Sequence, residues 1–239
     1  MRRHILATSG GFLATDRWEV LQPGPTFLKG LELTRKERPR VLFILTASGD
    51  SARYVSMSYQ ALANYSVDVD HLALFPQPNS VVETAIEKAD FIWVGGGSVA
   101  NLLALWRLHN VDSALRSAWE SGTVLGGVSA GSICWHVGGP TDSFGPKLEI
   151  VQNGLGLLPY GNGVHYDSEA QRRPLLQATV AAGTLPMSFA TDDRVGIHYE
   201  GIDAVEVISD KPESEAAAYR IEMLNGEVVE TRLPVGKIK

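Results

Sequence analysis

The first half of the chain alternates short apolar runs with longer stretches of helical periodicity. "HILAT" (4–8) ends near Gly10-Gly11, "RVLFILTAS" (40–48) at Gly49-Asp50, and "VDVDHLALF" (67–75) before prolines. "FIWV" (91–94) runs into Gly95-Gly96-Gly97, and "TVLGGV" (123–128) into Ser129. Runs this apolar predict strands buried on both faces of a parallel sheet. Between them, 51–65 carries apolar residues at helical spacing with Ser51 as N-cap. Residues 80–89 open on Ser80 followed by Glu83, a capping-box pattern. Residues 99–109 and 111–122 are amphipathic, the second closing on Gly122. The alternation predicts an α/β three-layer sandwich with a mostly parallel central sheet and right-handed crossovers.

The C-terminal part reads differently. "AVEVIS" (204–209), "AAYRIEML" (217–224) and "EVVETRLP" (227–234) are strand-like, and Asn225-Gly226 is a hairpin turn signal. We expect residues 203–239 to form an antiparallel appendage on one edge of the main sheet, within a single domain spanning 1–239. A length of 239 residues suits one such domain. The formal charge of -6 argues against nucleic acid or an anionic membrane as the main partner. No apolar run is long enough for a transmembrane helix, and the one in "MRRHILATSGGF" is too short for a signal peptide. The single cysteine, Cys134, excludes an internal disulfide and fits the cytoplasm. A homodimer through a sheet edge or the "LLALWRLH" helix stays open.

Candidate chemistry centres on Gly127-Val128-Ser129-Ala130-Gly131, a G-x-S-x-G pattern between a strand and a helix. A nucleophilic serine on so sharp a turn needs small neighbours. The N–H of Ala130 then offers one oxyanion donor, and Gly96 or Gly97 of the glycine loop a second. The loop lacks the lysine and spacing of a phosphate-binding motif. A base is needed, and there are six histidines. His4, His71 and His198 lie in or beside strands, and His109 ends a helix. His136 follows Ser129 by about two helical turns, too far for contact. His165 stands in a Gly/Asn-rich loop before a helix, where catalytic groups concentrate. For the acid, Asp142, Asp167 and the pair Asp192-Asp193 are candidates, with Asp167 and Asp50 read as solvated turn residues. Cys134 packs rather than attacks. No metal-ligand spacing occurs, and no cofactor is expected.

Taken together, "FIWVGGGSVANLLALWR", "GGVSAGSICW", "TDSFGP", "GVHYDSEAQRR" and "ATDDRVGI" resemble the peptidase E family of serine peptidases. "ILATSGGF" and "LTASGDSARYVSMSYQAL" extend the likeness over nearly the whole chain. The family comprises aspartyl dipeptidases related to cyanophycinase. The resemblance implies a class I glutamine amidotransferase-like, flavodoxin-like fold. It implies Ser129 as nucleophile, His165 as base, Gly97 and Ala130 as oxyanion hole, and either Asp142 or Asp193 as the acid. Gly96, Ser98, Arg172 and Arg173 are the candidate contacts to a short peptide substrate.

Two departures bear on specificity. Ser98 replaces the asparagine that usually follows the family's three glycines. Glu169 stands where aspartyl dipeptidases have an arginine, so that an aspartyl carboxylate would need Arg172 or Arg173. The expected function is cleavage after an N-terminal aspartate through a Ser-His-Asp triad. The rivals are a relative with another amide or peptide substrate, as in cyanophycinase, and a non-catalytic small-molecule-binding protein.

Overall fold

A computed structural model describes residues 2–211 and 213–238. Strand β1 (His4–Thr8) is buried along its length. A small hairpin, β2 (Phe12–Ala14) with β3 (Leu21–Pro23), leads into helix α1 (Pro25–Leu33). Pro25 sits in the first turn of α1, where a missing N–H leaves nothing unpaired. Strand β4 (Arg40–Ile44) ends earlier than its apolar run. Residues 46–48 turn instead as one 3₁₀ turn, with Ser48 Oγ donating to the Leu45 carbonyl (2.9 Å) and Gly49 at φ 70°.

Helix α2 (Ala52–Leu62) has Ser51 at its N-cap position, without a side-chain bond. After β5 (Asp68–Leu72) comes α3 (Val82–Glu87). The expected capping box does not form there. Val81 takes the N-cap position and Ser80 is exposed outside the helix. Then follow β6 (Phe91–Val94), α4 (Val99–Leu108), α5 (Val111–Glu120) and β7 (Val124–Val128). Helix α6 (Ala130–Ile133) lasts one turn, so His136 lies beyond it rather than on it. The chain continues through β8 (Gly139–Thr141), β9 (Glu149–Val151), β10 (Gly161–Gly163), α7 (Arg172–Ala181), β11 (Ser188–Thr191) and β12 (Val195–Glu200). It closes with β13 (Asp203–Ser209), β14 (Ala218–Leu224), β15 (Glu227–Leu233) and β16 (Gly236–Lys237).

The large sheet has the order β16-β13-β12-β1-β7-β6-β4-β5. Strands β1, β7, β6, β4 and β5 run parallel, and β12, β13 and β16 extend the β1 side antiparallel. Period-two alternation sends Ile5, Leu42, Ile92 and Leu125 into one apolar cluster, with Leu102, Trp106, Val111 and Leu115 of α4 and α5. Leu6, Val41, Phe43, Phe91 and Trp93 point the other way, against Phe27 of α1 and Leu62 of α2. Two-sided burial explains why these strands read as continuous apolar runs.

The C-terminal strands divide between two sheets. β13 and β16 join the large sheet, whereas the β14–β15 hairpin completes a second sheet of order β10-β11-β14-β15, covered by α7. Asn225 and Gly226 both have positive φ (52° and 86°), as its tight turn requires. Helix α1 is pinned from a distance. The Asp210 carboxylate, just past β13, accepts from Thr26 N–H (2.7 Å) and Gly11 N–H (2.5 Å). Among the described residues, no helix is long and apolar enough to cross a membrane.

Candidate active site

The C-terminal ends of β1, β7, β6 and β4 meet at one edge of the sheet, where open α/β sheets place their ligands. Ser129 stands at the end of β7 with φ 56° and ψ -112°, outside the ordinary regions for a non-glycine residue. Its N–H donates to the Thr8 carbonyl (3.0 Å), and its carbonyl accepts from Ser132 and Ile133 (2.8 and 3.0 Å). The turn is fixed at both ends. The flanking glycines follow from close backbone approach: a Cβ on Gly127 would collide with the Gly131 carbonyl, and one on Gly131 with the Val94 carbonyl.

The loop after β6 comes up beside the serine. A Cβ on Gly96 would lie 3.3 Å from Ser129 Cβ. Gly97 has φ 132° and packs on the Ala47 carbonyl so closely that no side chain fits. Among the described residues, the N–H groups of Gly96, Gly97 and Ala130 have no hydrogen-bond partner. Ser98 is drawn into the helix behind: its Oγ accepts from Asn101 N–H (3.2 Å) and caps α4.

His165 has φ 51°, and its N–H donates to Ser9 Oγ (3.0 Å). Ser9 is held in turn by Thr191, Oγ to Oγ1 at 2.7 Å. Adjacent residues at the end of β1 therefore hold both groups, Thr8 the Ser129 backbone and Ser9 the His165 backbone. His165 Nδ1 lies 2.6 Å from Asp193 Oδ1, with both side chains partly exposed. An Nδ1–H donated to this carboxylate leaves Nε2 as the basic nitrogen. Asp193 N–H donates to Asp167 Oδ1 (2.8 Å), so Asp167 does more than face solvent. Its neighbour Asp192 is buried and turned away, accepting from Ala217 N–H (2.9 Å) and Tyr219 Oη–H (3.1 Å). Burial pushes the Asp192 carboxyl above its ordinary range.

Other expectations need correction. Asp142 is exposed and lines a separate depression of about 340 Å³ with Pro146, Leu148 and Glu169, while the carboxylate on His165 is Asp193. Arg172 is buried, with Nε on Glu169 (2.8 Å) and Nη1 on the Pro140 carbonyl (2.5 Å). Arg173 lies over the rings of Tyr166 and Tyr219, both at 4.7 Å, and faces Glu230. The first turn of α7 thus buries the Arg172 guanidinium, while Arg173 stays partly exposed against Tyr166, Tyr219 and Glu230. Cys134 is fully buried, and burial pushes its thiol up, away from the reactive thiolate. Buried His136 hydrogen-bonds the Ser132 carbonyl through Nδ1 (2.9 Å).

A cavity of about 490 Å³ opens beside His165, Asp193, Gly96 and Val128. Its apolar lining includes Phe12, Phe43, Leu45 and Trp93. Sequence reasoning missed Ser9 and Arg194 on its wall. Serine after an apolar strand gave no signal of its role, and Arg194 was hidden beside the acidic pair.

Comparison with known proteins identifies relatives of this chain. YgaJ of Bacillus subtilis (strain 168), described as an uncharacterized peptidase, is 38% identical over 205 residues, covering 86% of this chain and 87% of that protein. Peptidase E of Shewanella denitrificans is 29% identical over 167 residues, covering 66% and 68%. The crystal structure of a peptidase from an acI-B1 Actinobacterium shares the fold, with a TM-score of 0.74 at 16% identity over 100% of this chain and 97% of that one. The model of peptidase family S51 matches residues 5–207. The chain belongs to peptidase family S51 and is a serine-type peptidase.

Proposed function

We propose that the protein hydrolyses short peptides with Ser129 as nucleophile, His165 as general base and acid, and Asp193 as the orienting carboxylate. The observation that carries this reading is the 2.6 Å contact of His165 Nδ1 with Asp193, on a histidine tied to the same β1 turn as the strained Ser129. Ser129 Oγ attacks the scissile carbonyl as His165 Nε2 takes its proton. The oxyanion is received by the N–H groups of Ala130 and Gly97, both free of other partners among the described residues. Collapse breaks the C–N bond, His165 returns the proton to the leaving amine, and water then cleaves the ester.

The family resemblance makes an N-terminal aspartate the first residue to test. A second reading, hydrolysis without preference for aspartate, is favoured by one observation: Arg172 is buried on Glu169 and the Pro140 carbonyl, and Arg173 faces Glu230. Asp-Leu, Leu-Asp and Ala-Leu should be offered to wild type and to Ser129→Ala. Hydrolysis by wild type and its loss in the variant, with unchanged circular dichroism, is the expected result. Activity that survives Ser129→Ala would remove Ser129 as the nucleophile.

A further inference from the structure

Three residues around the cavity hold positive φ without being glycine: Ser129 (56°), His165 (51°) and Arg194 (66°). The first two have roles in the reading above, and Arg194 has none. Left-handed backbone at such residues is uncommon and gathers at functional sites. The Arg194 backbone is clamped there, its N–H on the Ser9 carbonyl (3.1 Å) and its carbonyl on Asp210 N–H (2.7 Å). The residue follows Asp193 directly, is exposed, and lines the cavity with His165. Arg194 is the only arginine or lysine among the described residues of that lining, and so its fixed cation. Among the described residues its guanidinium has no ion-pair partner, whereas Arg53, Arg172 and Arg173 each face a glutamate.

Position supplies the rest. Arg194 precedes β12, which pairs with β1, which pairs with β7. That sets its backbone about 10 Å, two strand spacings, from Ser129 along the sheet edge. His165 must protonate the leaving amine, so the departing residue lies on the His165 side of the scissile bond. In a dipeptide the terminal carboxylate sits about 3.5 Å beyond that bond, and each further residue carries it about as far again.

We propose that Arg194 is a specificity-determining residue whose guanidinium binds the free α-carboxylate of the leaving residue, making dipeptides the preferred substrates. The proposal rests on the Ser129–His165 reading for its direction, and its test is arranged to stand apart from it. In a Ser129→Ala background, where turnover is not needed, Ala-Leu and its C-terminal amide are titrated calorimetrically. The free acid should bind roughly tenfold or more tightly, the worth of one charge-assisted pair. Arg194→Gly, which suits φ 66° and so keeps the fold, should erase the difference, and Arg194→Lys should retain part of it. Equal binding of acid and amide, no binding of either, or a difference that survives Arg194→Gly would overturn the proposal.

Turnover by the Ser129 enzyme supplies the second arm. Arg194→Gly should lower kcat/KM for Ala-Leu far more than for its amide. An Arg194→Gly loss confined to Asp-Leu amide relative to Ala-Leu amide would assign the cation to an acidic side chain instead, and overturn it. Carboxylate-dependent binding without hydrolysis of any peptide would retain the Arg194 site and refute the peptidase roles of Ser129 and His165.

Discussion

At the scale of single residues, the chemistry turns on which carboxylate holds the imidazole. A partner on Nδ1 selects the tautomer whose Nε2 is free to accept a proton, and stabilises the imidazolium that follows. Asp193 lies at that nitrogen and Asp142 faces another depression. Asp193→Asn is therefore expected to lower kcat on the order of 10⁴-fold, while Asp142→Asn changes it little. Steady-state kinetics on one dipeptide decide between them, and comparable losses in both variants would remove Asp193 from the role. The two acids were not separable in the sequence: Asp193 follows a strand-like run and Asp142 stands in a Gly/Pro-rich stretch, and neither position tells which carboxylate reaches His165. What separates them is three-dimensional. Asp192 turns toward β14 and is consumed by Ala217 and Tyr219, which leaves its neighbour facing His165. Arg172 and Arg173 teach the same lesson. The family resemblance put them at the site, whereas in α7 Arg172 pairs with Glu169 and Arg173 with Glu230. The serine turn was legible because its requirement is local: Gly127 and Gly131 are dictated by backbone contacts within a few residues and with Val94.

At the scale of elements, alternation of apolar runs and helical segments was enough to read the parallel strands and α2 to α5. Burial on both faces leaves a continuous apolar signature, and amphipathic helices leave a periodic one. The elements that escaped are those whose stability comes from elsewhere in the chain. Helix α1 begins with neither a side-chain cap nor an acidic residue in its first turn. Its N-terminal charge complement comes from Asp210, 184 positions from Thr26 in sequence. The same carboxylate closes on Gly11, so it ties β13, α1 and the turn after β1 into one unit. Removing it strands two backbone N–H groups in a buried setting, each costing about 1–3 kcal/mol. Asp210→Ala should therefore destabilise the protein by roughly 2 kcal/mol or more, and Asp210→Asn by less, since one carbonyl oxygen still accepts. Because Ser9 and Arg194 belong to the same unit, the variant should also weaken catalysis. Urea unfolding measures the first effect, and an unchanged midpoint would deny Asp210 its role as the tether of α1.

At the scale of the whole molecule, the fold carries histidines in its interior whose neutral form it requires. The sequence placed His4 and His198 in strands but gave no sign that β1 and β12 would pair. In the observed register Leu6 faces His198 and His4 faces Glu200, so the two imidazoles are diagonal neighbours, Nδ1 to Nε2 at 3.0 Å. Burial, then the nearby His4 and Lys29, pushes His198 down to about 4, although Glu206 lies 3.8 Å from its Nδ1. Burial alone pushes His136 down to about 4 against a weaker pull from the Ser132 carbonyl. An unfolded imidazole titrates near 6.5. Between these values the unfolded chain binds protons that the folded protein does not, so stability rises with pH across this interval. The contribution is complete above about pH 7 and is lost as pH falls through 6.5 toward 4. For each of the two histidines the loss by pH 5 is on the order of 2 kcal/mol. Asp192, whose carboxyl burial pushes up, acts in the opposite direction near the carboxylate range, so total stability is a poor readout. The decisive comparison is between wild type and His198→Gln, unfolded in urea at pH 7 and pH 5. The variant is expected to lose about 2 kcal/mol less than wild type between the two pH values, whatever its stability at pH 7. Parallel losses would mean that His198 is protonated as readily in the folded interior as in the unfolded chain.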